Sequence, residues 1–215
     1  MKSQKVSAIC FDMWGTLCEG GGGREWKVLQ KNLGASHIDK KKFYILGLNS
    51  LLLHPWTLRK GILHLAKRLE LKINNEIVEK AYQSFWQIVE KSKPYIETVP
   101  VLKKLKQKKI RTIIISNTDS ESFYFELKKF NLKKYFEQFF ISSEIGSLKH
   151  HGEMFNHAQN YLAIPKTQIL MVDDSLEHGV IPARQFGWKA LWLTRNQQAK
   201  AKYQIENLKT VISFL

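Results

Sequence analysis

The sequence contains little cysteine and no long apolar run. Two cysteines in 215 residues, Cys10 and Cys18, cannot build a disulfide framework, and no Cys/His cluster indicates zinc. No segment approaches the roughly twenty apolar residues of a membrane span. A secretory signal is not expected either, because the first apolar run is broken at Asp12. These absences predict a cytoplasmic protein without a membrane partner, in which Cys10 is a buried apolar filler.

Acidic residues are also scarce. The chain has 34 Lys and Arg against 19 Asp and Glu, a net charge of +15. A basic surface attracts nucleic acid or anionic substrates. The densest cluster, Lys103–Lys109, lies on a helical pattern with apolar positions and has no interleaved aromatic residues for base stacking. We interpret it as the solvated face of a helix, and nucleic acid remains the alternative partner.

Short apolar runs alternate with helical patterns along much of the chain. The runs are Val6–Phe11, Thr112–Ile115, Phe139–Ser142, Ile169–Val172 and Ala190–Leu193. The helical patterns are Thr98–Lys109, Ser120–Phe130, His151–Leu162 and Leu176–Phe186. Nearly continuous apolar runs are typical of strands buried on both faces of a parallel sheet. This order predicts an α/β fold with a doubly wound, Rossmann-like parallel sheet.

The stretch 19–93 has a different pattern, with no convincing strand. Helical patterns occur at Trp56–Leu69 and at Glu76–Val89, the latter preceded by Asn74 and Asn75 as candidate caps. We predict a small all-helical domain over 19–93, inserted into a core made of 1–18 and 94–215. The Gly20–Gly23 run is predicted to be a flexible link, because it lacks the Lys-Ser/Thr ending of a phosphate-binding loop.

Polar residues follow four of the predicted strands. They are Asp12, then Ser116 and Asn117, then Lys149, then Asp173 and Asp174. Each has an ordinary explanation when taken alone, such as a turn or a helix cap. Because ligands of doubly wound sheets bind outside the carboxyl ends of the strands, the set together predicts one functional site.

These residues also carry a family resemblance. Phe11-Asp12-Met13-Trp14-Gly15-Thr16-Leu17 resembles the first motif of the haloacid dehalogenase-like superfamily. Ser116-Asn117 resembles the second motif, Lys149 the third, and Val172-Asp173-Asp174-Ser175 the fourth. The resemblance covers 1–17 and about 95–195, and the insertion resembles the family's helical cap, which closes over the pocket.

The resemblance implies a hydrolase with Asp12 as nucleophile and Lys149 as its catalytic partner. It implies phosphate binding and metal binding by two neighbouring sets of residues. The phosphate would contact Thr16, Ser116, Asn117 and Lys149. Mg²⁺ would be held by Asp12, the backbone carbonyl of Trp14 and Asp174. We expect a monomeric or homodimeric phosphatase acting on small phosphorylated metabolites.

The sequence departs from the family pattern at two positions. Trp14 stands where family phosphatases carry the Asp that protonates the leaving group, a contribution of roughly 10²–10⁴ in rate. We therefore expect substrates with good leaving groups. Gly179 stands where a later Asp of the fourth motif is usual, and either Asp173 or Glu177 is a candidate to replace it.

Two other functions stay open. An aromatic residue at position 14 also resembles the metal-free 2-haloacid dehalogenases, with Arg24 or Arg59 as a partner for the substrate carboxylate. The Asp173-Asp174 pair speaks against that function, because added carboxylates beside a carboxylate nucleophile call for a cation. The other alternative is a catalytically impaired binding protein, with nucleic acid as its ligand.

Histidines close to two of the motifs are candidates for the missing proton donor. His150 and His151 follow Lys149, and His178 lies in the fourth-motif loop. We favour the interpretation that they are surface residues at the rim of the site.

Overall fold

The computed structural model describes residues 5–20, 23–195 and 203–215. Gly21 and Gly22, within the predicted flexible link, lie outside the described residues. The strands are β1 (Ala8–Phe11), β2 (Arg111–Ser116), β3 (Gln138–Ile141), β4 (Ile169–Asp173), β5 (Lys189–Leu193) and β6 (Gln204–Ile205). They form one sheet in the order β3-β2-β1-β4-β5-β6, and every neighbouring pair is parallel. The predicted doubly wound parallel sheet is confirmed.

Helices cover both faces of this sheet and form a separate group in the insertion. They are α1 (Arg24–Asn32), α2 (Lys40–Leu51), α3 (Leu58–Arg68), α4 (Asn75–Lys91), α5 (Thr98–Gln107), α6 (Ser120–Lys129), α7 (Ser142–Ile145), α8 (Glu153–Leu162) and α9 (Ile181–Gln185). Short 3-10 segments span Lys133–Tyr135, Lys149–His151, Lys166–Gln168 and Leu208–Phe214. Among the described residues, no helix combines the length and apolar character that crossing a membrane requires.

Side-chain alternation along β1 explains the two layers of helices. Ile9 and Phe11 join the apolar cluster that contains residues of α5 and α6. Ala8 and Cys10 point into the opposite cluster, which contains residues of α8 and α9. Cys10 is fully buried, as predicted, and burial raises the pKa of its thiol well above its ordinary value. Both faces of the central strand are therefore covered, which is why its sequence is a continuous apolar run.

Helices α1 to α4 enclose a third apolar cluster of their own. Asn74 caps α4, since its Oδ1 accepts a hydrogen bond from the backbone N–H of Ile77 at 2.9 Å; this confirms one of the two predicted caps. Thr57 caps α3 in the same way, so that helix begins two residues after Trp56, the predicted start. Helix α1 has no side-chain cap and follows Gly23 with φ 80°. No capping side chain therefore marks the start of this helix in the sequence.

The chain leaves and re-enters the core at adjacent points. The backbone N–H of Glu19 donates to the carbonyl of Lys93 at 2.8 Å, and Cys18 forms an antiparallel bridge with Pro94. The insertion is also tied to α6, because Glu121 accepts hydrogen bonds from the backbone of Leu58 and from the Tyr82 hydroxyl, each at 2.9 Å. These contacts fix the helical group over one edge of the sheet. The boundaries at 18/19 and 93/94 remain our prediction.

The predicted helix Leu176–Phe186 was wrong in its first turn. A π-helical turn spans Leu176–Val180, and only Ile181–Gln185 is α-helical. The Val180 N–H donates to the Ser175 carbonyl at 3.1 Å, one residue farther back than in an α-helix. Pro182 lacks the N–H that would continue the regular pattern at this point. Strand β6 was not predicted, because its two residues carry no apolar run.

Glu126 is a buried acid in the core. It is fully buried on α6, where its Oε2 accepts a hydrogen bond from the Cys18 thiol at 3.5 Å and its Oε1 has no partner. Burial raises the pKa of Glu126 to about 8 from an ordinary 4.5. The folded state therefore holds a proton that the unfolded chain has already released near neutral pH.

We predict that this proton makes stability depend on pH. Its contribution is complete below pH 4.5, the ordinary pKa, and is lost as the pH rises through about 8. Glu126→Gln should therefore be more stable than wild type at pH 9, by on the order of a few kcal/mol, with little gain at pH 5. Urea unfolding at both values measures this. The exposed Glu76→Gln is the control, and a gain independent of pH would contradict the assignment.

Candidate active site

Asp12 lies at the carboxyl end of the central strand β1. Its Oδ1 accepts hydrogen bonds from the Ser116 hydroxyl at 2.9 Å and from the Lys149 ammonium at 2.7 Å. Asp12 is 6% exposed. Strands β2 and β3 lie on one side of β1, and β4, β5 and β6 lie on the other. The site therefore lies at the point where the strand order reverses. Residues from three chain segments therefore meet here, as predicted.

Lys149 stands between two carboxylates. Its ammonium contacts Asp12 and also Asp173, the latter at 2.6 Å. The Asn117 side chain accepts a hydrogen bond from the Lys149 backbone N–H at 2.9 Å, so it holds the turn that carries the lysine. Burial by itself would lower the pKa of Lys149, but the two carboxylates outweigh it and hold this pKa above its ordinary value. The lysine is thus charged at neutral pH.

Asp174 is brought to Asp12 by the loop after β1. The Thr16 hydroxyl accepts a hydrogen bond from the Asp174 backbone N–H at 3.1 Å. Gly15 has φ 75°, and a Cβ atom there would lie 2.1 Å from Oδ2 of Asp174, so only glycine fits. Thr16 is fully buried and is not part of the cleft lining. In this structure the hydroxyl holds the Asp174 backbone, and the phosphate contact of Thr16 stays a prediction.

The three carboxylates form a site that suits a divalent cation. Oxygen atoms of Asp12, Asp173 and Asp174 lie within 4.8 Å of one another. One ammonium faces three carboxylates, which leaves two negative charges uncompensated when all are ionised. Burial raises the pKa of Asp173 in spite of the nearby ammonium. Desolvation and the charges of the other two carboxylates raise that of Asp174. An oxygen-binding cation would relieve this repulsion.

A cleft of about 630 Å³ opens above these residues, between the core and helices α1, α2 and α4. The insertion contributes mainly apolar side chains to it. They include Trp26, Tyr44, Leu48, Leu52, Phe85, Ile88 and Val89. Trp14 lines the cleft from the core side and donates its indole N–H to the Thr118 hydroxyl at 3.2 Å. It also packs against both the core cluster and the cluster of the insertion.

The predicted rim histidines lie close together. The rings of His150 and His151 are 4.2 Å apart, and those of His150 and His178 are 6.1 Å apart. Burial and the two neighbouring imidazoles lower the pKa of His150. His150 and His178 line the cleft. A neutral imidazole at His150 is a weak proton donor, so His150 does not replace the missing acid.

Arg195 is a residue of this site that sequence reasoning missed. Its guanidinium donates to the carbonyls of Gly15 at 3.0 Å and Thr16 at 2.7 Å, and it pairs with buried Glu97. It therefore braces the loop after β1. A signal was present, since Arg195 follows the fifth predicted strand just as the other site residues follow theirs. It was not predicted, because none of the four motifs includes this position.

Comparisons with known proteins agree with this geometry. A family model for haloacid dehalogenase-like hydrolases matches residues 6–187. No curated protein matches the chain.

Solved structures share its fold at low identity. A phosphatase of the same family from Thermococcus onnurineus is 20% identical, with a TM-score of 0.67 over 97% of each chain. A putative β-phosphoglucomutase from Thermotoga maritima is 17% identical, with a TM-score of 0.69 over 97% of this chain and 99% of the other. The L-2-haloacid dehalogenase from Xanthobacter autotrophicus is 15% identical, with a TM-score of 0.65 over 96% of each chain. At this identity the likeness establishes the fold alone.

We predict that removing the Lys149 charge destabilises the protein. Lys149→Met keeps the length of the side chain but leaves buried carboxylates without their counter-charge, which costs about 3–5 kcal/mol. Urea unfolding at pH 8 measures this loss. It should shrink near pH 5, because burial raises the pKa of Asp173 to about 6 and its protonation removes that charge. Lys103→Met, an exposed lysine on α5, serves as the control. An equal loss in both variants would show that the ion pairs contribute nothing.

Proposed function

Because the chain belongs to the haloacid dehalogenase-like hydrolases, we propose that it is a Mg²⁺-dependent phosphatase for small phosphorylated metabolites with good leaving groups. The observation that carries the proposal is the surplus of negative charge around Asp12. Two carboxylates beside a carboxylate nucleophile repel an anionic substrate unless a cation joins them. Asp12, Asp174 and the Trp14 carbonyl would hold that Mg²⁺, which would supply charge neutralisation at the phosphoryl oxygens.

We assign the role of nucleophile to Asp12. The Ser116 hydroxyl and the Lys149 ammonium both donate to its Oδ1, which leaves Oδ2 as the oxygen that attacks phosphorus. The bond from phosphorus to the leaving group breaks, and its electron pair departs with that group. Water then attacks the same phosphorus, Asp12 is released, and the proton of the water passes to the phosphate. Each step is easier than a direct displacement by water.

Donors around Asp12 would stabilise the charge that develops on the phosphoryl oxygens. Lys149 and Ser116 already lie within hydrogen-bond distance of Asp12, so a group bonded to Asp12 would be close to both. Asn117 lines the cleft beside them, although its side-chain oxygen is used on the backbone of Lys149. Its proposed contribution is therefore to hold the lysine in place, with its amide NH₂ available to the phosphate.

Trp14 determines which leaving groups can depart. The indole has no proton to give to a departing alkoxide, and its N–H is already bonded to Thr118. Acyl and aryl phosphates release a carboxylate or a phenolate, which are stable without protonation. The apolar lining of the cleft, including Trp26 and Phe85, fits an aryl group better than a charged one. We therefore place aryl phosphates first among the candidate substrates.

A haloacid substrate fits the cleft less well. Such a substrate carries a carboxylate that needs a cation near the nucleophile. Among the described residues that line the cleft, Lys149 and Arg195 are the lysine and arginine, and both are paired with acids. Arg59, a predicted carboxylate partner, instead pairs with Glu79 at 2.7 Å and lies over the Tyr82 ring. Neither it nor Arg24 belongs to the cleft lining.

We predict Mg²⁺-dependent turnover that is selective for good leaving groups. The substrates to compare are acetyl phosphate, 4-nitrophenyl phosphate, glycerol 3-phosphate and 2-chloropropionate, with Mg²⁺ or with chelator. Phosphate release from the first two should need Mg²⁺, and release from the alkyl ester should be slower by about 10²–10⁴ because no acid protonates it. Asp12→Asn should abolish release.

Asp39→Asn is the matched control for this experiment. Asp39 caps α2, far along the chain from the motifs, and asparagine caps a helix as well as aspartate does. Its turnover should equal that of wild type. Equal rates on alkyl and aryl phosphates would contradict the leaving-group argument, and chloride release without Mg²⁺ would identify a dehalogenase instead.

A further inference from the structure

A cluster of lysines lies at the edge of the sheet opposite to the active site. Residues 108–109, both lysines, come just before β2, and residues 133–134, also lysines, come shortly before β3. Because β2 and β3 are parallel neighbours, both pairs lie toward the amino edge of the sheet. Asp12 lies at the carboxyl edge, and a strand of six residues such as β2 is about 20 Å long. The lysines are therefore well separated from the cleft.

Two segments of the chain contribute to one basic surface. The 3-10 turn Lys133–Tyr135 lies against α5, because the Lys106 ammonium donates to the Lys134 carbonyl at 3.2 Å. Leu105 of α5 turns inward to the core cluster, so the lysines around it point to solvent. We call the seven exposed lysines of these two segments the lysine face: Lys103, Lys104, Lys106, Lys108, Lys109, Lys133 and Lys134.

The positive charge of the lysine face is not balanced by nearby acids. With the part of the chain that the structure describes, none of its lysines forms an ion pair. The segment 98–118 contains no acid, and Glu137, which follows the turn, is paired with Arg111 at 2.8 Å. Lysines in the last turn of a helix stabilise its dipole, which explains Lys104 and Lys106 but not residues 133–134. Such a surface favours a partner with many negative charges.

We propose that the lysine face binds the phosphate backbone of double-stranded nucleic acid without reading its bases. Contacts to phosphates need cations and little else. The exposed side chains of 103–109 are lysines and Gln107, so this segment offers no exposed aromatic side chain for stacking on the bases of a single strand. It also offers no exposed apolar side chain that would enter a membrane or form the centre of a protein interface. This binding is independent of the proposed function.

The test is a titration of the full chain against a fluorescein-labelled duplex, followed by fluorescence anisotropy at several KCl concentrations. One RNA duplex and one DNA duplex of roughly 20 base pairs are compared, because double-stranded RNA-binding domains span about 16. Wild type should bind both, and log K should fall with log [KCl] at a slope of about −4 or steeper, since each phosphate contact contributes about −0.9. Absence of binding at about 50 mM KCl would overturn the proposal.

A variant of the lysine face locates the binding surface. Four of its lysines become glutamine, which keeps the length of the side chain but removes the charge: Lys104→Gln, Lys108→Gln, Lys109→Gln and Lys133→Gln. Loss of their phosphate contacts should make the salt slope shallower by about 3–4 and lower the affinity at about 0.1 M KCl by roughly 100-fold or more.

The matched control removes the same charge from exposed lysines of the insertion: Lys27→Gln, Lys40→Gln, Lys41→Gln and Lys67→Gln. Its affinity for both duplexes should stay within about threefold of wild type, because these lysines lie outside the lysine face. Equal losses in the two variants would show that net charge alone attracts the duplex, and this result would overturn the proposal.

Vesicles that contain phosphatidylserine test the other anionic partner. At a KCl concentration at which the duplexes are bound, sedimented vesicles should not retain the protein, since no apolar side chain of the 103–109 segment is available for insertion. Retention of wild type but not of the lysine-face variant, without binding of either duplex, would identify a membrane surface as the partner and contradict the proposal.

Two further measurements separate this binding from the proposed function. Asp12→Asn should bind both duplexes as wild type does, and the lysine-face variant should hydrolyse 4-nitrophenyl phosphate at the wild-type rate, because the two sites lie at opposite edges of the sheet. Loss of duplex binding in Asp12→Asn would place the duplex in the cleft and overturn the proposal. If the duplex binds through the lysine face while wild type hydrolyses no phosphate, the binding proposal stands and the proposed function fails.

Discussion

A charged ammonium can be buried only where carboxylates surround it, because an isolated charge in the interior is strongly disfavoured. Lys149 is 3% exposed and is held by Asp12 and Asp173. This one arrangement orients the nucleophile, ties the end of β1 to the end of β4 and fixes the turn after β3. It also leaves the surrounding carboxylates with more negative charge than one lysine can balance. The proposed metal dependence follows from that imbalance.

The parallel sheet is what allows such an arrangement. Neighbouring parallel strands end at one edge, so acids and hydroxyls from distant parts of the chain meet beside β1 without long loops. Short braces then fix the connections, such as the Thr16 hydroxyl on the Asp174 backbone and Arg195 on the loop carbonyls. The helical insertion adds apolar walls above this edge. Charged groups therefore lie at the floor of the cleft, and mainly apolar side chains form its walls.

The sheet and the residues at the floor of the site could be predicted because each strand and the polar residue that follows it are recognised from residues close together in the sequence. A strand buried on both faces must be apolar, and the polar residue that ends it marks the edge where ligands bind. Thr16 could not be placed in this way, because whether its hydroxyl faces the cleft or the Asp174 backbone depends on a residue 158 positions away.

We propose above all that Asp12 accepts a phosphoryl group with the help of a divalent cation. Beryllium trifluoride mimics a phosphoryl group bonded to a carboxylate, so ¹⁹F NMR of the protein with this anion and Mg²⁺ tests the claim at equilibrium, independently of the natural substrate. We expect bound ¹⁹F signals that require both Mg²⁺ and Asp12 and that disappear in Asp12→Asn. Equal signals in Asp12→Asn, or no bound signal in a protein that hydrolyses aryl phosphates, would contradict it.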